Sequence, residues 1–272
     1  MFLADYHVHC DVSQDSGATM YEMVEAEAKM GMEQICFTNH CDMCDWRTYK
    51  FNPFCLSRVS DTLEKYAAML REHPVLPVDV RLGLELGEPL FDTERAAAIA
   101  ASPELDMVMG SLHILQDYGD LWGVKFESSR QCRTIFGVYL DELIKMTEIN
   151  FFDVMAHIGY GRRYMWQQGF DESLSLELYG DKIEHLLRLL IDNGRGIEIN
   201  CSGIRDGCGP FPDPEILRLY RSLGGEIITV GRDAHTPADA AKCVREGYEI
   251  IKSCGFDYVS TFRKRKCEFV KI

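Results

Sequence analysis

A single parallel β/α barrel is the fold class that the sequence predicts, and three observations carry that expectation. Short apolar or β-branched runs alternate seven times with longer helical patterns along the 272 residues. No linker, low-complexity tract or charge block divides the chain, so residues 1–272 are read as one domain. The first strand candidate leads into His7-Val8-His9-Cys10. Strand alternating with helix builds a parallel sheet, closed or open. An open, doubly wound sheet would carry a glycine-rich phosphate loop after its first strand. A His-x-His in that place favours the closed barrel.

The elements follow in order. Strands are expected at 2–6, 34–38, 78–84, 106–110, 152–156, 196–200 and 227–230, from their β-branched and apolar runs. Helices are expected at 19–30, 56–72, 93–101, 130–148, 173–192, 214–223 and 237–253. Their apolar residues recur at three- and four-residue spacing, as Leu186, Leu187, Leu190 and Ile191 do. Asn193-Gly194 and Leu223-Gly224-Gly225 supply the stop signals of helix C-termini.

Charge and composition narrow the partners. A formal net charge of −14 offers no basic face for nucleic acid or an anionic membrane. The basic run Arg263-Lys264-Arg265-Lys266 reads as solvated surface. Residues 1–6 run straight into a strand with no leader-like segment, and no apolar run could span a bilayer. The expectation is a cytoplasmic protein with no membrane or nucleic-acid partner, compatible with a homo-oligomer. Eleven cysteines in a chain of this kind read as reduced thiols, and Cys41-Asp42-Met43-Cys44 as an ordinary loop rather than a zinc or redox pair.

The chemistry gathers at the strand ends. His7 and His9 follow the first strand, His40 the second, Glu85 the third, His113 the fourth, His157 the fifth, and Asp233 with His235 the seventh. In a parallel barrel these positions share the C-terminal mouth, where active sites lie. Residues two apart on a strand point the same way, so His7 can join His9 and Asp233 can join His235. Imidazole with carboxylate suits zinc, manganese or iron. A lone histidine at a strand end is more often structural, but six on successive strand ends are not independent. His73, before a proline, and His185, within an amphipathic helix, read as structural. Asp5 is expected to face inward with the first two histidines, and Glu198 and Asn200 to face inward from the sixth strand.

Asp5-Tyr6-His7-Val8-His9, Thr38-Asn39-His40, Gly83-Leu84-Glu85, Gly110-Ser111-Leu112-His113, Ala156-His157 and Gly231-Arg232-Asp233-Ala234-His235 together resemble the ordered motifs of the PHP (polymerase and histidinol phosphatase) superfamily. Two positions depart from the usual pattern: Arg232 stands where serine is common, and Asn39 where an acidic residue is. The resemblance implies a distorted seven-stranded TIM-like (β/α)7 barrel holding two or three divalent ions and hydrolysing phosphoesters. It implies one metal on His7, His9, Glu85 and Asp233, with Glu85 bridging to a second on His113 and His157. A third would use His40 and His235, with Asp15 as an added ligand. Glu88 rivals Glu85 but lies in a turn before Pro89.

Among stand-alone members of this length the chain is similar to histidinol-phosphate phosphatases. That similarity implies phosphate contacts from Arg205 and from Arg162 or Arg163, and a small phosphomonoester as substrate. Divalent ions would activate a water and neutralise phosphate charge. Asp233 and His235 are then the catalytic candidates, Asp233 as a possible proton donor to the leaving alkoxide. Three rivals remain at this point: another PHP phosphoesterase acting on nucleotides or small phosphates, an amidohydrolase, and a non-catalytic metal-binding protein. An amidohydrolase would commonly show a bridging lysine at a strand end, and none is evident.

Overall fold

Seven parallel strands were expected from the alternation, and seven form one continuous ladder. A computed structural model describes residues 1–272. The strands are β1 (Ala4–Val8), β2 (Gln34–Phe37), β3 (Asp79–Gly87), β4 (Met107–Ser111), β5 (Val154–Met155), β6 (Gly196–Asn200) and β7 (Ile228–Gly231). They neighbour one another in chain order, each pair parallel. The ring closes at its C-terminal end, where Val8 bridges Ala234 in parallel. The His9 N–H donates to the Ala234 carbonyl at 2.9 Å, and the Asp233 N–H to that of His7 at 2.8 Å. Closure therefore joins the two segments that carry four of the expected metal ligands.

Further towards the N-terminal end, a side chain joins β1 to β7. Asp5 accepts the N–H groups of His7 at 3.1 Å and Arg232 at 2.9 Å. The β1–β2 register shifts between Asp5 and Val8. A bulge of this kind re-aims side chains. Tyr6 packs with Ala4, Met107, Met109 and Val154, while His7 and His9 turn to the mouth. Asp5 thus acts through the backbone, a correction to the expectation that it shares the face of the histidines.

The helices are α1 (Met20–Lys29), α2 (Arg58–Glu72), α3 (Thr93–Ala100), α4 (Ser129–Ile149), α5 (Arg162–Gln167), α6 (Leu176–Asp192), α7 (Ser202–Arg205), α8 (Pro214–Ser222) and α9 (Val244–Ser253). Thr19 and Glu22 form a reciprocal capping box at α1, which accounts for its abrupt start. The last helix begins seven residues later than its pattern suggests. Residues 237–243 are held as a loop instead: Asp239 accepts from Arg205 at 2.8 Å, and Glu27 accepts the Ala241 N–H at 3.0 Å.

Two further departures concern strands. β3 runs past its expected end, so Glu85 lies within it, and His40–Asp42 pairs alongside as a second segment (His40 opposite Glu85). The last residues form an antiparallel hairpin, β8 (Tyr258–Arg263) with β9 (Lys266–Lys271), beneath the barrel. Phe262 plugs the interior against Tyr6, and Ser260 accepts the Ile228 N–H at 3.1 Å. The basic run is the turn of this hairpin. Arg265 is docked rather than solvated: it pairs with Asp153 and donates to the Phe151 carbonyl at 3.0 Å.

Candidate metal centre and pocket

Glu85 stands at the centre of the mouth, fully buried. One of its oxygens, Oε2, lies 2.9 Å from His40 Nδ1, 3.3 Å from His7 Nε2 and 3.6 Å from His9 Nε2. The other, Oε1, lies 2.9 Å from His157 Nε2 and 3.2 Å from His113 Nε2. Asp233 Oδ1 is 3.3 Å from His9 Nε2 and 3.6 Å from His7 Nε2. Asp15 Oδ2 is 3.1 Å from His235 Nε2 and 3.4 Å from His40 Nε2. All nine expected ligands thus meet in one place, and seven of them, all but Asp15 and Asp233, fall together with Asp42 into overlapping sets whose donor atoms could share ions. Two of them, His157 (φ 23°) and Asp233 (φ 61°), hold left-handed backbone angles. Such strain persists where surrounding structure enforces it, commonly at functional sites.

The ring nitrogens are oriented from behind. His7 Nδ1 lies 2.8 Å from Glu198 Oε1, and Glu198 Oε2 accepts the His157 N–H at 2.8 Å. Asn200 steadies that carboxylate at 3.2 Å. With Nδ1 held by Glu198, His7 turns Nε2 towards Glu85 and Asp233. Asn39 does the same for His9 at one remove. Its Oδ1 accepts the Cys10 N–H at 3.0 Å and the Ser13 hydroxyl at 3.1 Å. Ser13 then accepts from His9 Nδ1 at 3.0 Å, which leaves His9 Nε2 facing Glu85 and Asp233.

Electrostatics follow from this crowding. Burial opposes charge on His7, but Glu198, Glu85 and Asp233 outweigh it and raise its pKa well above the ordinary value. Against their burial, Glu85 raises His40 and His113 in the same way. His9 falls to about 3, through burial and the neighbouring His235 and His40. Despite burial, Glu85 and Asp233 are held well below the carboxylate range by the histidines around them. His7 Nε2, His9 Nε2, His40 Nδ1 and Glu85 Oε2 are all buried without a hydrogen-bond partner. Four orphaned donor atoms converging within ligand distance fit divalent ions.

Residues 5–202 match the PHP domain family, nearly three-quarters of the chain. The chain belongs to that family. Its relatives include a "Histidinol-phosphatase" of Lactococcus lactis, 25% identical over 268 residues covering 97% of this chain and 96% of the relative. A "Probable histidinol-phosphatase" of Thermotoga maritima is 23% identical, covering 97% of each. Among solved structures, the histidinol phosphate phosphatase of Lactococcus lactis complexed with zinc, L-histidinol and phosphate superposes with a TM-score of 0.83. It is 23% identical, and 98% of each chain is covered.

In this PHP-domain chain the centre opens into a cavity of about 450 Å3. Of the three candidate arginines, Arg163 lines it; its guanidinium sits between the Tyr160 and Phe211 rings and donates to Ser202. Arg162 is held by Asp213 instead, and Arg205 by Asp206 at 2.9 Å and Asp239 at 2.8 Å, both outside the pocket lining. His73 stacks on Tyr21 at 3.4 Å between ring centroids, and His185 is exposed on α6. Every cysteine is free, with Cys41 directed to the Cys55 carbonyl and Cys44 to that of Asp45. Sequence reasoning missed Ser13, Asp42, Asp120, Trp46 and Trp122. All lie in loops or short irregular strands, where no periodicity or motif marks them.

Proposed function

We propose that this chain is a metal-dependent phosphomonoesterase that converts L-histidinol phosphate to L-histidinol and phosphate. The observation that carries the metal half of this reading is Glu85, one of whose oxygens faces the unpartnered ring nitrogens of His7, His9 and His40 while the other faces His113 and His157. The substrate half draws on relatives named for that activity along their whole length. His7, His9, Glu85 and Asp233 would hold one ion, Glu85 with His113 and His157 a second, and His40, His235 and Asp15 a third, as zinc, manganese or iron. When bound, such ions supply Lewis acidity, water activation at neutral pH and charge neutralisation for the phosphate.

The chain's own groups do the rest. Arg163, preset between two aromatic rings, places planar donors against non-bridging phosphate oxygens. Glu198, through His7 Nδ1, and Ser13, through His9 Nδ1, orient the opposite ring nitrogens towards Glu85 and Asp233. Asp233, kept ionised by His7 and His9 against its burial, would accept the attacking water's proton at Oδ1 and return it to the leaving alkoxide. His235 closes the third set beside Asp15.

Zinc- or manganese-loaded protein should release phosphate from L-histidinol phosphate faster than from any other ester in a phosphomonoester panel. Protein with full metal content that ignores histidinol phosphate while cleaving another ester would overturn the assignment.

A further inference from the structure

The C-terminal hairpin beneath the barrel, at the end remote from the metal centre, leaves one long edge without a partner. Its turn residues Lys264 and Arg265 have φ of 50° and 63°. Two positive angles in succession make a type I′ turn, which closes a two-residue hairpin on a hydrogen-bonded pair. Bonded pairs then alternate along the ladder as Arg263 with Lys266, Thr261 with Glu268 and Val259 with Val270. Asp257 with Ile272 is next in that series, and the Ile272 N–H does donate to the Asp257 carbonyl at 3.0 Å. The N–H and C=O groups of Cys267, Phe269 and Lys271 on β9 therefore point away from β8. No third strand pairs there, and no loop reaches those groups. The opposite edge is tied down, since the Phe262 N–H of β8 donates to the Tyr6 hydroxyl at 2.9 Å. Beside the free edge Phe269 is 50% exposed and Tyr258 46%, over a cleft of about 240 Å3 that Phe256 and Arg221 also line.

A row of unpaired backbone groups beside exposed aromatic rings is a template for another strand. We propose that β9 is the surface through which two copies of this chain pair antiparallel, about a two-fold axis at Phe269, joining their hairpins into one continuous sheet. In that register Cys267 of each copy pairs with Lys271 of the other and Phe269 with Phe269, so every free group on the edge is used. On the other face Glu268 stands opposite Val270, and no like charges are opposed. The neighbouring registers are poorer. An axis at Glu268 sets that carboxylate against its own copy, and an axis at Val270 leaves Cys267 unpaired. An axis at Cys267 runs Phe269 against Arg265, which is already docked on Asp153. Antiparallel pairing also sends the two basic turns to opposite ends, each beside the Asp257–Ile272 pair of the other copy, so that Lys264 and Lys266 approach an acidic residue. Both mouths face outwards, and the inference does not depend on the phosphatase reading.

Sedimentation velocity of the zinc-loaded chain over a concentration series should show a species of twice the 31.1 kDa chain mass. Phe269→Asp puts two carboxylates on the axis and should raise the dimer dissociation constant at least about a hundredfold. Phe269→Pro removes an N–H that the hairpin itself does not use, and should raise that constant by about tenfold or more. Phe54→Asp, at an equally exposed aromatic on the mouth side, should leave it unchanged. Zinc content and Tm matching the wild type show that each variant is folded. Amide exchange reads the same edge without any variant: the N–H groups of Cys267, Phe269 and Lys271 should exchange at least about tenfold more slowly in concentrated than in dilute protein. A chain that stays monomeric throughout the series overturns the proposal. So does a dimer that both Phe269 variants leave intact, or one whose formation does not protect those amides.

Discussion

The two ends of the barrel bury similar polar side chains and treat them in opposite ways. At the N-terminal end, Asp153 is 3% exposed and fully engaged. It pairs with Arg265 and with Arg195 at 3.3 Å, and accepts the Val108 N–H at 2.8 Å. At the mouth, His7, His9, His40 and Glu85 each leave an atom buried and unpartnered. Burial without a partner is destabilising in a finished core. Asp153 is therefore satisfied within the protein, whereas the mouth gathers several unpartnered atoms around one carboxylate. The convergence of unpartnered ring nitrogens on Glu85, more than burial or charge, marks the functional end.

Glu85→Gln should break the mouth most severely. The substitution keeps the shape and removes the charge shared by five histidines, so kcat/KM should fall about a thousandfold, close to 4 kcal/mol, with bound zinc lost. Metal analysis beside the assay separates this from misfolding. The opposite end should respond in stability alone. Arg265→Ala leaves Asp153 paired only with the partly exposed Arg195, and should reduce unfolding free energy by roughly 2–3 kcal/mol while leaving kcat unchanged. A denaturant titration reads the first quantity, and equal losses of activity and stability would erase the contrast.

Glu198→Gln probes the layer behind the ligands. Weakening its hold on His7 Nδ1 should reduce metal affinity about 10- to 100-fold without altering the fold, measured by competition with a chelator. The smallest effect concerns pH. In metal-stripped protein His7, His40 and His113 have raised pKa values, against their burial, because carboxylates surround them. A raised folded-state pKa contributes stability that is complete below the unfolded value near 6.5 and is lost as pH rises through the folded value. Glu85, held low by the same histidines despite its burial, contributes above its unfolded value near 4.5 and loses that contribution under acid. These groups should therefore contribute most to the stripped protein between about pH 4.5 and 6.5, and its Tm should fall as pH rises above that range. Zinc-loaded protein should be destabilised by acid instead, as protons displace the ion. Parallel pH curves for the two forms would contradict this account.

Much of this was legible in the chain. Period and stop signals located all seven barrel strands and the longer helices between them within a few residues, but not the short α5 and α7. Local order of motifs selected the nine residues that meet at the mouth. The C-terminal hairpin escaped notice because Tyr258–Arg263 and Lys266–Lys271 alternate weakly and flank a run of charge that looks solvated. The late start of α9 escaped because Pro237 offers a helix-start signal that Arg205 and Glu27, acting from other elements, override. Choosing among the three arginines was beyond sequence alone, since adjacent Arg162 and Arg163 differ only in what the fold puts in front of them.

The sequence by itself determined the barrel and pointed to the residues that gather at its mouth, because both are written in short-range order: strand period, helix period, and a histidine or carboxylate after six of the seven strands. The tertiary structure alone decided how those residues are used. Glu85 became the shared carboxylate because five histidines from four other strand ends converge on it. Arg163 faces the pocket because Asp213 draws Arg162 away. Glu88 and Asp120, which no periodicity marks, came to line the same cavity only through the fold.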